Sequence, residues 1–324
     1  MAVEEVPTIT IPVIDISGDV ANNLSLRPQI ARDLNAACRS PGFFQIVGHD
    51  VPASLQTRVF NTIAQFYALP PAKKLALRRE LSGRGYEAIG SQTLDEFPDR
   101  KEGFMIGPEL PPGDGFLEGP NLWPEESDCP GFRATMEEYF AAMRRLSVRM
   151  FRLLATSLDL DVHYFDEFVD SRDSISMCRA HKYPPADTAM AKKSRGVGAH
   201  TDFGAMTLLL QDDLGGLEVL HRPTETWHSV PCIKGAYVVN IGDMMERWTN
   251  GRYTSTVHRV ASPVSSKDRY SVAFFNEGRL KQVIDCIPTC LELNEGAPIY
   301  PPVTVEAHLR KRYEDSYKGN PIKG

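Results

Sequence analysis

Apolar positions recur at helical spacing in the first half of the chain and in short alternating runs through much of the second. Within residues 27–39, Ile30, Leu34 and Ala37 fall three or four apart, the interval that stacks side chains on one face of an α-helix. Residues 52–78 read as a second helix. A longer stripe of Tyr139, Met143, Leu146, Met150, Leu153 and Leu154, set among arginines, predicts a helix from about Gly131 to Leu158 with one face in a core. Pro108, Pro111, Pro112, Gly113 and Gly115 instead predict an irregular loop near the end of the segment Arg84 to Trp123.

Strands are expected to dominate from about residue 175 to 288. Ala205-Met206-Thr207-Leu208-Leu209-Leu210 is strand-like and ends in Asp212-Asp213-Leu214-Gly215-Gly216, a turn signal that predicts a hairpin with a partner strand at 217–220. Ala236-Tyr237-Val238-Val239-Asn240-Ile241 reads as another buried strand. Asn250-Gly251 is a two-residue hairpin signal ahead of a strand that carries His258. The tail from Val305 to Tyr317 returns to helical spacing, with His308, Leu309 and Tyr313 able to share a face. This arrangement predicts a mainly β protein with flanking α, in which two facing antiparallel sheets form a jelly roll braced by N-terminal helices and by the long helix.

The chemistry concentrates in His200-Thr201-Asp202 and in His258, within Ser255-Thr256-Val257-His258-Arg259-Val260. If both segments are strands, alternation projects His200 and Asp202 the same way while Thr201 points back. A histidine from a distant strand then completes a two-histidine, one-carboxylate set, which suits non-haem iron(II) and leaves three coordination positions open. An isolated His-x-Asp is a weak signal; the strand-like context on both sides is what strengthens it. Arg269-Tyr270-Ser271, leading into Val272-Ala273-Phe274-Phe275, repeats the alternation. Arg269 and Ser271 would share a face, where a planar guanidinium takes a carboxylate through two charge-assisted hydrogen bonds and the hydroxyl adds a third.

These segments resemble the iron(II)- and 2-oxoglutarate-dependent dioxygenases of the isopenicillin N synthase-like family, with His-x-Asp, a distal His and Arg-x-Ser in that order. The resemblance spans most of the chain. At the front it rests on Ile11-Pro12-Val13-Ile14-Asp15, Gly42-Phe43-Phe44-Gln45-Ile46, Gly48-His49-Asp50-Val51-Pro52 and Lys101-Glu102-Gly103-Phe104. In the middle it rests on Tyr183-Pro184-Pro185 and Asn240-Ile241-Gly242-Asp243. The resemblance implies a double-stranded β-helix in one dioxygenase domain over residues 1–324. Within it, 1–125 would form the family's N-terminal helical and loop region, 175–288 the jelly-roll core and 289–324 a C-terminal tail.

The same resemblance implies that His200, Asp202 and His258 bind iron(II) and are the catalytic set. Arg269 and Ser271 would hold the distal carboxylate of 2-oxoglutarate, and Tyr183 would help. Two positions before Tyr183, where relatives often have asparagine, this chain has His181. Oxygen and 2-oxoglutarate are the implied cosubstrates, ascorbate is expected to support activity in vitro, and succinate and carbon dioxide are the implied coproducts. The metal and cosubstrate carry the redox step while the protein positions them and excludes water. Hydroxylation is the leading outcome; desaturation, ring closure and ring expansion stay open.

The expected substrate is a small organic molecule, an intermediate of secondary metabolism being one candidate. It would be gripped by Arg179, Phe203, Phe275 and loop residues including Arg84 and Met105. Alternation places Arg179, His181 and Tyr183 on one face, yet a salt bridge to one of the chain's carboxylates has an equal claim on Arg179. Three rival readings remain: an iron oxidase of the same fold that dispenses with 2-oxoglutarate, a zinc hydrolase, and a metal-dependent binding protein closed by a fourth ligand such as Glu246, His228 or His221.

Composition narrows the field. The chain has 324 residues, 42% hydrophobic and 24% charged, ordinary globular values, and no apolar run reaches the length of a membrane span. Met1-Ala2-Val3-Glu4-Glu5 is acidic and lacks a secretory pattern, so a cytoplasmic protein is expected. A formal net charge of -6 argues against a broad nucleic-acid surface. Six scattered cysteines without a Cys-x-x-Cys pair fit reduced thiols better than a zinc site. Gly196-x-Gly198 lacks the third glycine and the following helix of a dinucleotide-binding turn.

Overall fold

Alternation along buried strands decides the architecture, because a strand covered on both faces sends successive side chains into two different interiors. The computed structural model describes residues 10–316 apart from 21, 24, 79–82, 95, 97, 112–114, 192–193 and 295. The sequence reading at Met1–Glu5, Pro112, Gly113 and Tyr317 lies outside the described residues.

In chain order the elements begin with β1 (Val13–Asp15), α1 (Ser17–Val20), α2 (Arg27–Arg39), β2 (Phe43–Val47), α3 (Ala53–Tyr67), α4 (Pro71–Leu75), β3 (Gly85–Glu87) and β4 (Glu102–Ile106). There follow α5 (Phe132–Ser157), α6 (Asp166–Val169), β5 (Ser174–Tyr183), α7 (Thr188–Ala191), β6 (Arg195–His200), β7 (Met206–Gln211), β8 (Leu217–His221) and β9 (Thr226–Ser229). The chain ends with β10 (Tyr237–Ile241), α8 (Asp243–Trp248), β11 (His258–Ala261), β12 (Arg269–Arg279), β13 (Val283–Ile284), a 3-10 turn (Pro288–Asn294), β14 (Val303–Thr304) and α9 (Val305–Ser316).

An eight-stranded sheet in the order β1-β2-β10-β7-β12-β5-β4-β3 faces a four-stranded sheet in the order β6-β11-β8-β9. Between the two lies a small core of Ile11, Phe43, Tyr183, Val197, Leu217, Val219, Val230, Val238 and Val260. A larger core fills the space between the outer face of the big sheet and the helices. The strands divide their residues between the two: Val238 belongs to the inner core while Tyr237, Val239 and Ile241 belong to the outer one.

The long helix α5 supplies much of that outer core. Its predicted stripe, Tyr139, Met143, Leu146, Met150, Leu153 and Leu154, is buried throughout, and the helix packs against α2 and α3. Phe140 meets Phe274 of β12 edge-on at 5.3 Å, and Ser147 hydrogen-bonds Asn276 of the same strand. The sheet that carries much of the site's inner wall is thus backed by a rigid apolar layer.

Several local expectations give way to long-range structure. The helix expected over 52–78 is two, α3 and α4, because Pro70 and Pro71 lack the amide hydrogens that would continue the ladder. The segment from Arg84 to Trp123 holds two strands, β3 and β4, before its loop. The turn at 212–216 is not a hairpin: β7 pairs β10 and β12, whereas β8 pairs β11 and β9, so the turn carries the chain from one sheet to the other. Asn250 and Gly251 do adopt left-handed φ of 53° and 77°, yet they follow α8 and join strands of different sheets. Among the described residues no helix is long and apolar enough to cross a membrane.

Candidate functional site

Register brings the two histidines together. His258, at the start of β11, lies directly opposite His200, at the end of β6, and their rings sit 4.3 Å apart between centroids. Asp202 lies just beyond β6 rather than within it, so strand alternation is not what aims its carboxylate. The loop that carries it is pinned to the end of β10 by Asp243 N–H donating to the Asp202 carbonyl at 2.9 Å and Gly242 N–H to that of Ala205 at 3.0 Å. A side chain at Gly242 would come within 2.2 Å of the Gly204 carbonyl oxygen, so this approach requires glycine.

The result is a convergence of three ligand atoms. Both histidine Nε2 atoms stand 3.6 Å from Asp202 Oδ1, and all three donor atoms lie within 4.8 Å of one another. Each histidine is oriented from behind. His200 Nδ1 faces the Gly198 carbonyl at 2.8 Å and His258 Nδ1 the Thr256 carbonyl at 3.1 Å. A carbonyl only accepts, so Nδ1 carries the proton and Nε2 presents its lone pair to the centre.

Asp202 is held in the same manner by its other oxygen. Oδ2 accepts from the Thr207 hydroxyl at 2.6 Å and from Asn240 Nδ2 at 2.7 Å, which leaves Oδ1 for a metal. Thr207 and Asn240 are themselves register partners across β7 and β10. Burial alone would raise the Asp202 carboxyl, but His258, His200 and the Thr207 hydroxyl outweigh it and hold the group below its ordinary range. Burial, with His200 adding, brings His258 down to about 4, so its ring is neutral and able to ligate.

This donor set fits the iron(II) of a two-histidine, one-carboxylate centre. Among the described residues no fourth histidine, cysteine or carboxylate joins the group. His221 and His228 instead bond Thr224 and Thr226, and Glu246 bonds Ser255 and Tyr300, so the closed-site reading finds no ligand among the three residues named for it.

The same cavity contains a place for an anion. Arg269, opposite Tyr183 in the β12–β5 pair, and Ser271, opposite His181, both line it. The Arg269 guanidinium lies 4.7 Å over the Tyr183 ring, and its Nε donates to the Gly215 carbonyl in the sheet-to-sheet turn. Nη2 reaches Gln211 at 3.2 Å, while Nη1 is buried with no partner among the described residues. A buried guanidinium nitrogen without a partner among the described residues, on an arginine that lines the cavity, fits a carboxylate such as that of 2-oxoglutarate.

Other candidates separate cleanly. Phe203, Phe275, Met105, His181 and Arg179 line the cavity as the sequence suggested. Arg179 forms an ion pair with Glu87 and a 3.1 Å hydrogen bond to Gln92. Arg84 does not line it: the side chain is buried elsewhere, bonded to Asn121 and to the Leu117 carbonyl at 3.0 Å, and supports the loop rather than a substrate.

The sequence reading missed Thr207, Asn240, Glu277 and Tyr313, all of which line the cavity. Tyr313 arrives from α9 and meets Phe203 edge-on at 5.5 Å; the helical spacing of the tail marked its face but not its destination. Thr207, Asn240 and Glu277 carried no signal beyond their place in strand-like runs.

The fold and this centre define a non-haem metal oxygenase of the jelly-roll class. The family model for the N-terminal region of non-haem dioxygenases in morphine synthesis matches residues 11–126, and that of the 2OG-Fe(II) oxygenase superfamily matches residues 174–278. Among curated proteins, the 2-oxoglutarate-Fe(II) type oxidoreductase hxnY of Emericella nidulans is 39% identical, over 94% of this chain and 90% of its own. Clavatol oxidase claD of Penicillium crustosum is 39% identical, over 96% and 98%. The crystal structure of a full-length Neurospora crassa protein in complex with alpha-KG and thymine superposes with a TM-score of 0.85 at 31% identity, over 94% of this chain and 96% of that one. The chain belongs to the 2-oxoglutarate- and iron(II)-dependent dioxygenases, enzymes whose cofactors are iron(II) and 2-oxoglutarate.

Proposed function

We propose that this dioxygenase hydroxylates a small organic molecule in the cytoplasm, with residues 1–324 acting as one catalytic domain. His200, Asp202 and His258 hold iron(II), Arg269 and Ser271 grip the distal carboxylate of 2-oxoglutarate, and Tyr183 packs beside that grip. When bound, iron, oxygen and 2-oxoglutarate supply oxidative decarboxylation to succinate and carbon dioxide and deliver the second oxygen atom to a substrate carbon. The observation that carries the reading is that Arg269, whose buried Nη1 has no partner among the described residues, lines the same cavity as the residues bearing the three convergent ligand atoms. A bare metal site has no use for such an anchor.

The chain's own contribution is positioning. The backbone carbonyls behind the two histidines keep their Nε2 atoms aimed, and Thr207 with Asn240 keeps Asp202 on a single oxygen. Phe203, Phe275, Leu94 and Leu209 wall the cavity with apolar surface, which excludes water from the reacting carbon. The thymine held by the Neurospora protein supports a small-molecule substrate. Alanine at His200, Asp202 or His258 is expected to abolish both iron(II) binding and iron-dependent succinate release. Retention of either property in all three variants refutes the assignment.

A further inference from the structure

Beyond the anchor, β12 continues inward through Ala273 and Phe275 to Glu277, and every one of these lines the cavity. Glu277 is only 3% exposed, and its Oε2 is buried without a hydrogen-bond partner among the described residues. The carboxyl rests against the turn that follows Asp202 and Phe203: a methyl group at Gly204 would stand 2.9 Å from Oε2. An unsatisfied buried oxygen on a residue that lines a binding cavity calls for a partner that the described residues do not supply. A carboxyl oxygen accepts from a hydroxyl or an N–H in either protonation state.

The rest of the cavity limits what that ligand is. Phe203, Phe275 and Tyr313 supply aromatic walls, which favour a flat ring. The cations there already have counter-charges: Arg179 pairs with Glu87, and Lys101 lies 3.8 Å from Glu87 and 3.4 Å from Asp99. Arg269 is assigned to the cosubstrate. A second carboxylate would find no open cation among the described residues, whereas a neutral ring bearing a hydroxyl or N–H would meet Glu277.

We propose that Glu277 is a specificity-determining residue whose carboxyl hydrogen-bonds a hydroxyl or ring N–H of a neutral aromatic substrate lodged among Phe203, Phe275 and Tyr313. This rests on the oxygenase reading and adds the substrate class. The enzyme loaded anaerobically with iron(II) and 2-oxoglutarate is titrated with thymine, resorcinol and orcinol, and with 1,3-dimethylthymine and the dimethyl ethers of the two phenols. Benzoate is added as an acid. Binding is read from the shift of the iron-to-2-oxoglutarate charge-transfer band.

At least one donor compound should bind the wild type more tightly than its methylated counterpart. Glu277→Leu should weaken the donor about tenfold while leaving the methylated compound unchanged, and Glu277→Gln, which keeps a donor and an acceptor, should restore most of the loss. Equal weakening of donor and methylated compound would reveal a merely structural role and overturn the proposal. So would binding of benzoate alone, or no response to any donor. A wild type that forms no charge-transfer band with 2-oxoglutarate overturns the oxygenase reading as well, so the two failures are told apart.

Discussion

Thr207→Val and Asn240→Leu test how the carboxylate ligand is aimed. Each removes one donor from Asp202 Oδ2, at 2.6 Å and 2.7 Å respectively, and neither touches the atom that faces the histidines. A hydrogen bond to a charged carboxylate contributes about 1.5–3 kcal/mol, and loss of a partner behind a metal ligand generally costs about 10–100-fold in affinity or activity. One opposing effect must be weighed: a carboxylate with fewer donors is more basic and attracts a cation more strongly. Its freedom to rotate and to offer both oxygens works the other way, and the orientation effect dominates because three ligands converge among the described residues, so each one's aim matters. Each variant is therefore expected to raise the iron(II) dissociation constant about tenfold. Because both donors act on one oxygen, the double variant should depart from additivity. The assay is an anaerobic iron(II) titration against a competing chelator, followed by succinate release at limiting and excess iron. Iron affinity within about twofold of wild type in both single variants, set against that tenfold expectation, would refute the reasoning.

Two further outcomes follow from buried charge. Arg179, Lys101, Glu87 and Asp99 form a balanced cluster beside the cavity, so Glu87→Gln leaves an excess cation in it and should lower stability by roughly 3 kcal/mol, the low end for a buried pair because Glu87 keeps some exposure; an unchanged urea midpoint would count against this. For Glu277, the folded carboxyl at about 8 stands above its ordinary 4.5, so between those values the native state holds a proton that the unfolded state has lost, and stability falls as pH rises. Compared with wild type, metal-free Glu277→Gln should therefore gain up to roughly 4 kcal/mol in relative stability as pH is raised from 4.5 to 8. Parallel stability curves for the two proteins across that range would remove the buried acid from the account.

What could be read from the sequence, and what could not, divides along the range of the interactions involved. Ligands are limited to a few residue types, so His200, Asp202 and His258 stood out by identity and order. Strand geometry accounts for only part of that grouping: the histidines meet because β6 and β11 bring them into register, whereas Asp202 is aimed by a loop tied to β10. The hairpin expected at 212–216 failed for the same reason. A turn signal reports local backbone conformation, which Gly215 and Gly216 do adopt, but not which sheet the next strand joins. Arg84 was misplaced because a buried arginine is positioned by partners at 117 and 121, beyond any short window.

The residues most deeply hidden from a sequence reading are those whose contacts cross between elements. Threonine, asparagine and glutamate are common in strands and carry no signature there; Thr207 and Asn240 acquire a role only when β7 and β10 bring them onto one carboxylate oxygen. Glu277 is hidden further still. It lines the cavity with Arg269, Ser271, Ala273 and Phe275, but it sits where β12 shifts register against β5 between Asn276 and Gly278, so the anchor motif alone does not give its direction. Its Oε2 has no partner among the described residues and lies close beside Gly204, a contact between loop and strand that no spacing within either segment encodes. The iron ligands are therefore legible as motifs, while the contacts that aim Asp202 and the placement of Glu277 arise from packing between segments.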